Sequence, residues 1–238
     1  GIVKALKVNV GGVGDKTQLS VRPERVSLGS DGSGENVFTG KAVGSYQKTD
    51  ATFWTGRKDK GDRFFNKVQV IDLLKEGFPD SPKGRTSFAL LGFCSDEGVR
   101  RNQGRVGAKE GPDALRKALR NKCFHNFSDV ELFDCGDVIC EGDDLEGVQK
   151  LLGEKVALII EKGHFPIVLG GGHSISWGHY QGLEKAKSCE SLGIINIDAH
   201  YDLRPLLEEG KGSSGTPFLQ IAERRKEKRQ PFHYLCLG

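Results

Sequence analysis

Methionine is absent from all 238 residues, position 1 included. The chain opens on Gly1 and stops at Gly238 directly after an apolar, strand-like run. It therefore reads as a trimmed piece, incomplete at its C-terminus, or as a chain from which residues have been lost. No CxxC pair occurs among the six cysteines at 94, 123, 135, 140, 189 and 236. A domain of this size needs no disulfide staples, so the expected state is reduced thiols in a cytoplasmic protein. Long apolar runs are missing too. Stretches such as Val156–Ile160 fall far short of the roughly 18 residues that begin to read as a membrane span, which argues against a membrane protein. No basic segment followed by an apolar one opens the chain, so no secretory signal is expected. Excess charge of one sign is lacking as well: 35 basic against 32 acidic residues leave +3. That balance argues against a dedicated nucleic-acid or membrane-surface protein.

What is present suits one large α/β domain. Residues 1–50 are glycine-rich with little periodicity; Val8–Val10 and Leu19–Val21 could form hairpin strands, but loops dominate. Gly11–Gly14 does not complete GxGxxG, so a dinucleotide site is not indicated. From residue 51 onward the pattern firms up. Trp54 and Arg57 either line a pocket or, as a tryptophan beside a turn more often does, pack the core. Phe64–Leu74 has a helical period, and Ser87–Phe93 is a continuous apolar run suited to a strand buried on both faces. A polar loop with Arg100, Arg101 and Arg105 follows, open to two readings: contact with an anionic ligand, or a solvated surface. Pro112 and Asp113 then mark a helix start.

Glu131–Cys140 reads as another strand, with Asp134 and Asp137 as a turn that caps it rather than as a metal pair. Leu145–Lys162 carries one apolar helical face and ends at Gly163. Phe218–Lys228 reads as a helix, its ERRKEKR run a solvated face of mixed charge, and His233–Leu237 as a last strand. This alternation predicts a three-layer α/β/α sandwich with a mainly parallel sheet.

The chemistry concentrates in 165–204. Strand Phe165–Leu169, glycines 170–172, a helix from Ser174 to about Lys187 and strand Leu192–Ile197 make a βαβ unit. His173 falls just past the first strand; Asp198, His200 and Asp202 fall just past the second. Ligand sites of open α/β sheets lie at that carboxyl edge. In an extended segment, positions i, i+2 and i+4 share one side, which predicts that Asp198, His200 and Asp202 converge with His173. Two imidazoles and two carboxylates suit Mn²⁺, and also Zn²⁺, Fe²⁺ or Co²⁺, whereas Ca²⁺ prefers oxygen alone. The plainer alternative is a capped loop with a hydrogen-bonded histidine. A serine-hydrolase elbow is a poor competitor, because Gly172-His173-Ser174-Ile175-Ser176 lacks the closing glycine of GxSxG.

LGGGHS (169–174), NIDAHYDLR (196–204) and SSGTPF (213–218) resemble the signature segments of the ureohydrolases, namely arginase, agmatinase and formimidoylglutamase. GVRRNQGRVGAKEGPDALR (98–116) resembles their N-terminal loop and helix, so the likeness runs from about residue 87 to the end. The resemblance implies an arginase-like domain over 51–238 with a dinuclear manganese centre. His173, Asp198 and Asp202 would hold one ion and His200 the other, with Asp198 bridging. It also implies hydrolysis by a metal-bridging hydroxide.

Departures narrow the family. Ser214 stands where arginases and agmatinases carry a proton-shuttling histidine, as in formimidoylglutamases, and Arg204 stands where arginases carry asparagine. A guanidinium there repels a cationic substrate and can clamp a carboxylate through two parallel hydrogen bonds. The expected substrate is thus a small anionic amino acid, N-formimidoyl-L-glutamate, cleaved to glutamate and formamide in histidine degradation. Arg204 and Ser214 would bind it, aided by Arg101 or Arg105. No acid for the leaving amine is evident beyond His179, the nearby candidate. The resembling families also supply two aspartates from a late SxDxD segment, and no aspartate follows Asp202 here. Alternatives are another ureohydrolase or a catalytically silent arginase-like binding or assembly subunit. The sequence leaves a homo-oligomer open.

Overall fold

The computed structural model describes residues 27–30, 36–39, 44–56, 62–75, 78–124, 129–186 and 191–238. The chain divides into two compact units, 1–43 and 44–238. In the first, strands β1 (Ser27–Ser30) and β2 (Asn36–Thr39) form an antiparallel pair. The expected strands Val8–Val10 and Leu19–Val21 lie outside the described residues, as does Arg57.

The second unit is built on a five-stranded sheet. Its centre is β5 (Thr86–Cys94), flanked by β6 (Val130–Ile139) and β7 (Phe165–Leu169), both parallel to it. Ala89, Leu91 and Phe93 on one face of β5 are fully buried in one core cluster and Leu90 on the other face is buried in a second, as a strand covered on both faces requires. Outside β6 lie β3 (Ser45–Gln47), antiparallel, and β4 (Val68–Val70), parallel. The helix expected over Phe64–Leu74 is therefore confined to the single turn α1 (Phe64–Lys67). Beyond it, Val68 and Val70 pair opposite Leu132 and Asp134, a ladder that suits β-branched side chains better than a helix does. Strand β3 belongs to this sheet, and the second compact unit begins at Gly44.

Asp134 and Asp137 form neither a metal pair nor a capping turn. They lie inside β6 at a bulge, where Leu90 and Gly92 of β5 face Asp134 and Asp137. The extra residue brings Gly136 to φ +82° and turns both carboxylates toward one point, which strict alternation would forbid at a spacing of three. Arg116, on α3 (Gly111–Leu119) and fully buried, occupies that point. Its Nε and Nη2 donate to Asp134 at 2.8 and 2.9 Å, and its Nη1 donates to Asp137 at 2.7 Å. Trp54 Nε1 and Thr49 Oγ1 complete the shell of Asp134, so Trp54 is a core residue and not a pocket wall.

Helix α4 (Leu145–Glu161) covers the sheet with Leu145, Val148, Leu152, Val156 and Ile159. Its start is capped by Asp144, which accepts from the Gly147 amide. Against it lies α5 (Ile175–Lys185), whose Gly182 would place a Cβ 2.5 Å from Val156, so only glycine permits this approach. The opposite side of α5 packs Trp177 and Tyr180 onto Phe218 and Ile221 of α6 (Pro217–Glu227). Arg225 of α6 is also buried and donates to the Pro231 carbonyl, so the ERRKEKR run is only partly a solvated face.

Strand β8 (Gly193–Ile197) departs from the expected βαβ geometry. It forms no ladder with β7; it pairs in parallel with β9 (His233–Leu237) in a separate two-stranded sheet. Helix α5 is the shared element, packing on α4 next to one sheet and with α6 under the other. The face of β8–β9 turned away from α6 is bare, with Ile195 and Ile197 68% and 83% exposed. Among the described residues no helix is long and apolar enough to cross a membrane.

Candidate metal centre

The loop after β7 is shaped by glycine. Gly170 and Gly171 both have positive φ, and a Cβ on Gly171 would sit 2.4 Å from the Phe93 carbonyl oxygen. The Gly171 and Gly172 amides donate to Ala108 and Ser95, which pins this turn to the loop following β5. The next residue is His173. Its ring meets Phe218 of α6 edge-on, with centroids 5.3 Å apart. That contact fixes the ring plane, and Nδ1 faces the loop after β8.

There, strand geometry ends at Ile197, and the chain bends over 198–200. Asp202 has φ 46°, a left-handed conformation that aspartate tolerates better than most side chains. The segment is thus not extended, and the alternation argument for three residues on one side does not hold. The bend brings Asp198 and Asp202 together by another route. His173 Nδ1 lies 3.1 Å from Asp198 Oδ2 and 2.5 Å from Asp202 Oδ2. One ligand atom from each residue falls within 4.8 Å of the others, the only such cluster of three found among the described residues. His200 is turned outward, its side chain 78% exposed, with Nδ1 3.4 Å from Asp198 Oδ1. The two oxygens of Asp198 are therefore divided, one toward His173 and one toward His200.

The electrostatics match. Asp198 is held below the usual carboxylate range, chiefly because its Oδ1 accepts from the His200 amide at 2.9 Å. His173 is pushed above the ordinary imidazole value by its hydrogen bond to Asp202; the charges of Asp202 and Asp198 add to this against burial. Two carboxylate oxygens beside one ring nitrogen are satisfied either by a proton on that nitrogen or by a metal ion that takes its place. A nitrogen with two carboxylate oxygens is the borderline-hard donor set that Mn²⁺ accepts, so the residues fit a metal ion.

Residues that sequence reasoning overlooked hold the loop in shape. Asn196 Nδ2 donates to the His200 carbonyl and to Tyr234 Oη, and Tyr234 in turn donates to the Tyr201 carbonyl at 2.8 Å. Cys236 Sγ lies 3.2 Å from the Asp198 carbonyl. A buried asparagine in the otherwise aliphatic GIINI strand is the one signal that could have pointed to this support.

Arg204 is exposed two residues beyond Asp202, its amide donating to the Gly215 carbonyl and its Nη1 to Asn102 Oδ1 at 3.2 Å. Ser214 lies on the same turn, its amide bonded to the Gly98 carbonyl. The remaining candidates are not gathered here. Arg101 is engaged elsewhere by carboxylates and carbonyls, and Arg105 is exposed on the loop after α2 (Glu97–Arg101). His179 makes no ion pair with Asp198 or Asp202, and burial depresses its pKa, favouring the neutral ring. A neutral imidazole without a link to the cluster is a poor proton donor.

Comparison with known proteins decides the family. The model of the arginase family matches residues 86–238. The chain belongs to the arginase family. Among curated arginase-family relatives, it is 46% identical over 191 residues to a formimidoylglutamase of Chromobacterium violaceum, covering 79% of this chain and 58% of that protein. It is 44% identical over 198 residues to one of Legionella pneumophila, covering 82% and 60%. The chain thus spans about three-fifths of the length of these relatives. Among solved structures, a Trypanosoma cruzi formiminoglutamase with Mn²⁺ superposes with a TM-score of 0.56 at 33% identity, covering 66% of this chain and 57% of that one. A Bacillus subtilis formimidoylglutamase shares the fold, with a TM-score of 0.59 at 21% identity over 77% and 55%.

Proposed function

We propose that this arginase-family chain carries the metal-binding part of a formimidoylglutamase, which hydrolyses N-formimidoyl-L-glutamate to L-glutamate and formamide. The observation that carries this reading is the meeting of His173 with Asp198 and Asp202 on the same loop as Arg204. Similarity to formimidoylglutamases over most of the chain supports it.

His173, Asp198 and Asp202 would hold one manganese ion and His200 a second, with the divided oxygens of Asp198 serving both. Bound manganese supplies hydroxide at neutral pH and polarises the amidine carbon. The rest falls to the chain. In the balanced reaction, the oxygen of water adds to the formimidoyl carbon, the bond to the glutamate nitrogen breaks, and that nitrogen gains a proton. Arg204 binds a substrate carboxylate. Asn102 anchors one guanidinium nitrogen, which limits rotation and presents the planar fork to the anion. The same charge repels agmatine and arginine. Ser214, beside it on the turn, offers a hydroxyl to the substrate's polar end. Phe218 keeps the His173 ring from turning away.

The complete protein, purified and loaded with Mn²⁺, should release formamide from N-formimidoyl-L-glutamate and leave agmatine and arginine intact. It should hold about two manganese ions per chain by elemental analysis. Comparable turnover of agmatine would overturn the substrate assignment. A protein that binds one ion or none and turns over no amidine would instead be a silent binding or assembly subunit.

A further inference from the structure

Arg101 has every donor occupied. A guanidinium carries five N–H groups. Nε donates to Glu97 Oε1 at 2.8 Å, and Nη1 donates to Glu146 Oε1 at 2.6 Å and to the Gly212 carbonyl at 3.0 Å. Nη2 donates to the Asp143 carbonyl at 2.7 Å and to Glu146 Oε2 at 3.1 Å. The side chain is 8% exposed. Nothing is left over for a ligand, so a direct role in substrate binding is ruled out for this residue.

The partners reveal another task. Gly212 is gripped on both sides: its carbonyl accepts from Arg101, and its amide donates to Glu146 Oε1 at 3.0 Å. Two residues on, the Ser214 amide bonds to the Gly98 carbonyl on the helix that carries Arg101. The Gly215 carbonyl then accepts from the Arg204 amide, and Asn102, next to Arg101, receives the Arg204 side chain. The chain of contacts runs from Arg101 through the 212–215 turn to the Arg204 guanidinium. We propose that Arg101 is a positioning residue, which locks the 212–215 turn and so fixes the Arg204 anion pocket without touching the substrate. The part concerning substrate rests on the function proposed above.

Arg101→Lys keeps the charge but offers three donors without the planar fork, so it cannot span Glu97, Glu146 and two carbonyls at once. In the complete manganese-loaded protein, hydrogen exchange at the Gly212 and Ser214 amides should speed up by about tenfold or more as the turn loosens. KM for N-formimidoyl-L-glutamate should rise about tenfold, in line with the cost of misplacing a binding group from a distance. Turnover at saturation should stay within about threefold, with manganese content unchanged. In an Arg204→Ala background, Arg101→Lys should add no further rise in KM, because the first change has removed the group it positions. Unchanged exchange at 212–214 would overturn the clamp. An equal rise in KM with and without Arg204 would reduce Arg101 to a general structural residue. A wild-type protein that cannot turn over this substrate would refute the proposed activity, and the exchange measurement would still judge the clamp.

Discussion

His173 Nδ1 lies 2.5 Å from Asp202 Oδ2, although the strands that lead to these residues share no hydrogen-bond ladder. The contact is made by two loops, one bent by glycines and one by the left-handed backbone of Asp202. The site therefore depends on helix α5, which bridges the two sheets, and on α6 packed against it, and not on strand pairing.

The backbone at Asp202 identifies the cleanest variant. Asparagine tolerates its φ of 46° and keeps the shape while losing the charge, so Asp202→Asn should preserve the fold. Manganese affinity should fall by at least about 100-fold, the upper end for groups one shell further out, and turnover should fall with it. Titration of metal-free variant and wild type with Mn²⁺ checks this; equal affinities would remove Asp202 from the metal site.

Metal uptake should weaken at a higher pH than an ordinary histidine would cause. Asp202 and Asp198 raise the pKa of His173 above the usual 6.5 in the metal-free protein. Its proton therefore competes with the ion to a higher pH. The sign for stability runs the other way. The folded-state pKa exceeds the unfolded one, so the ion-pair contribution of His173 is complete below the unfolded value and is lost as pH rises through the folded value. Melting of metal-free protein across that range should show the loss, and Mn²⁺ should reverse it.

Removing the guanidinium of Arg204 should separate binding from chemistry. Arg204→Ala should raise KM for an anionic amidine by about 10- to 100-fold, the cost of one charge-assisted hydrogen-bonding pair, with a smaller change in kcat. Steady-state kinetics on N-formimidoyl-L-glutamate and on an analogue lacking its carboxylates reads this directly. An equal loss on both substrates would show that Arg204 acts on something other than the anion.

Arg116→Met should be among the substitutions most costly to stability. It leaves Asp134, fully buried, and Asp137 without their cation. Breaking a buried ion pair from one side costs about 3–5 kcal/mol. Urea denaturation should show a loss of that order, and adding Asp134→Asn should recover part of it.

The sequence by itself determined most of the elements and singled out the residues proposed to carry the chemistry. Apolar runs long enough for buried strands, helical apolar faces and glycine punctuation were enough for β5 to β9 and α3 to α6, because each is a local pattern. LGGGHS and NIDAHYDLR likewise single out His173, Asp198 and Asp202 as candidate ligands. Tertiary structure alone decided how those pieces meet. Val68–Val70 became a strand through its pairing with β6, and a single-residue bulge turned Asp134 and Asp137 onto Arg116. The bend after Ile197 sent His200 outward, and five donors of Arg101 went to the framework instead of the substrate. Each of those outcomes depends mainly on partners in other elements or on a backbone torsion, and residue order along a chain encodes neither directly.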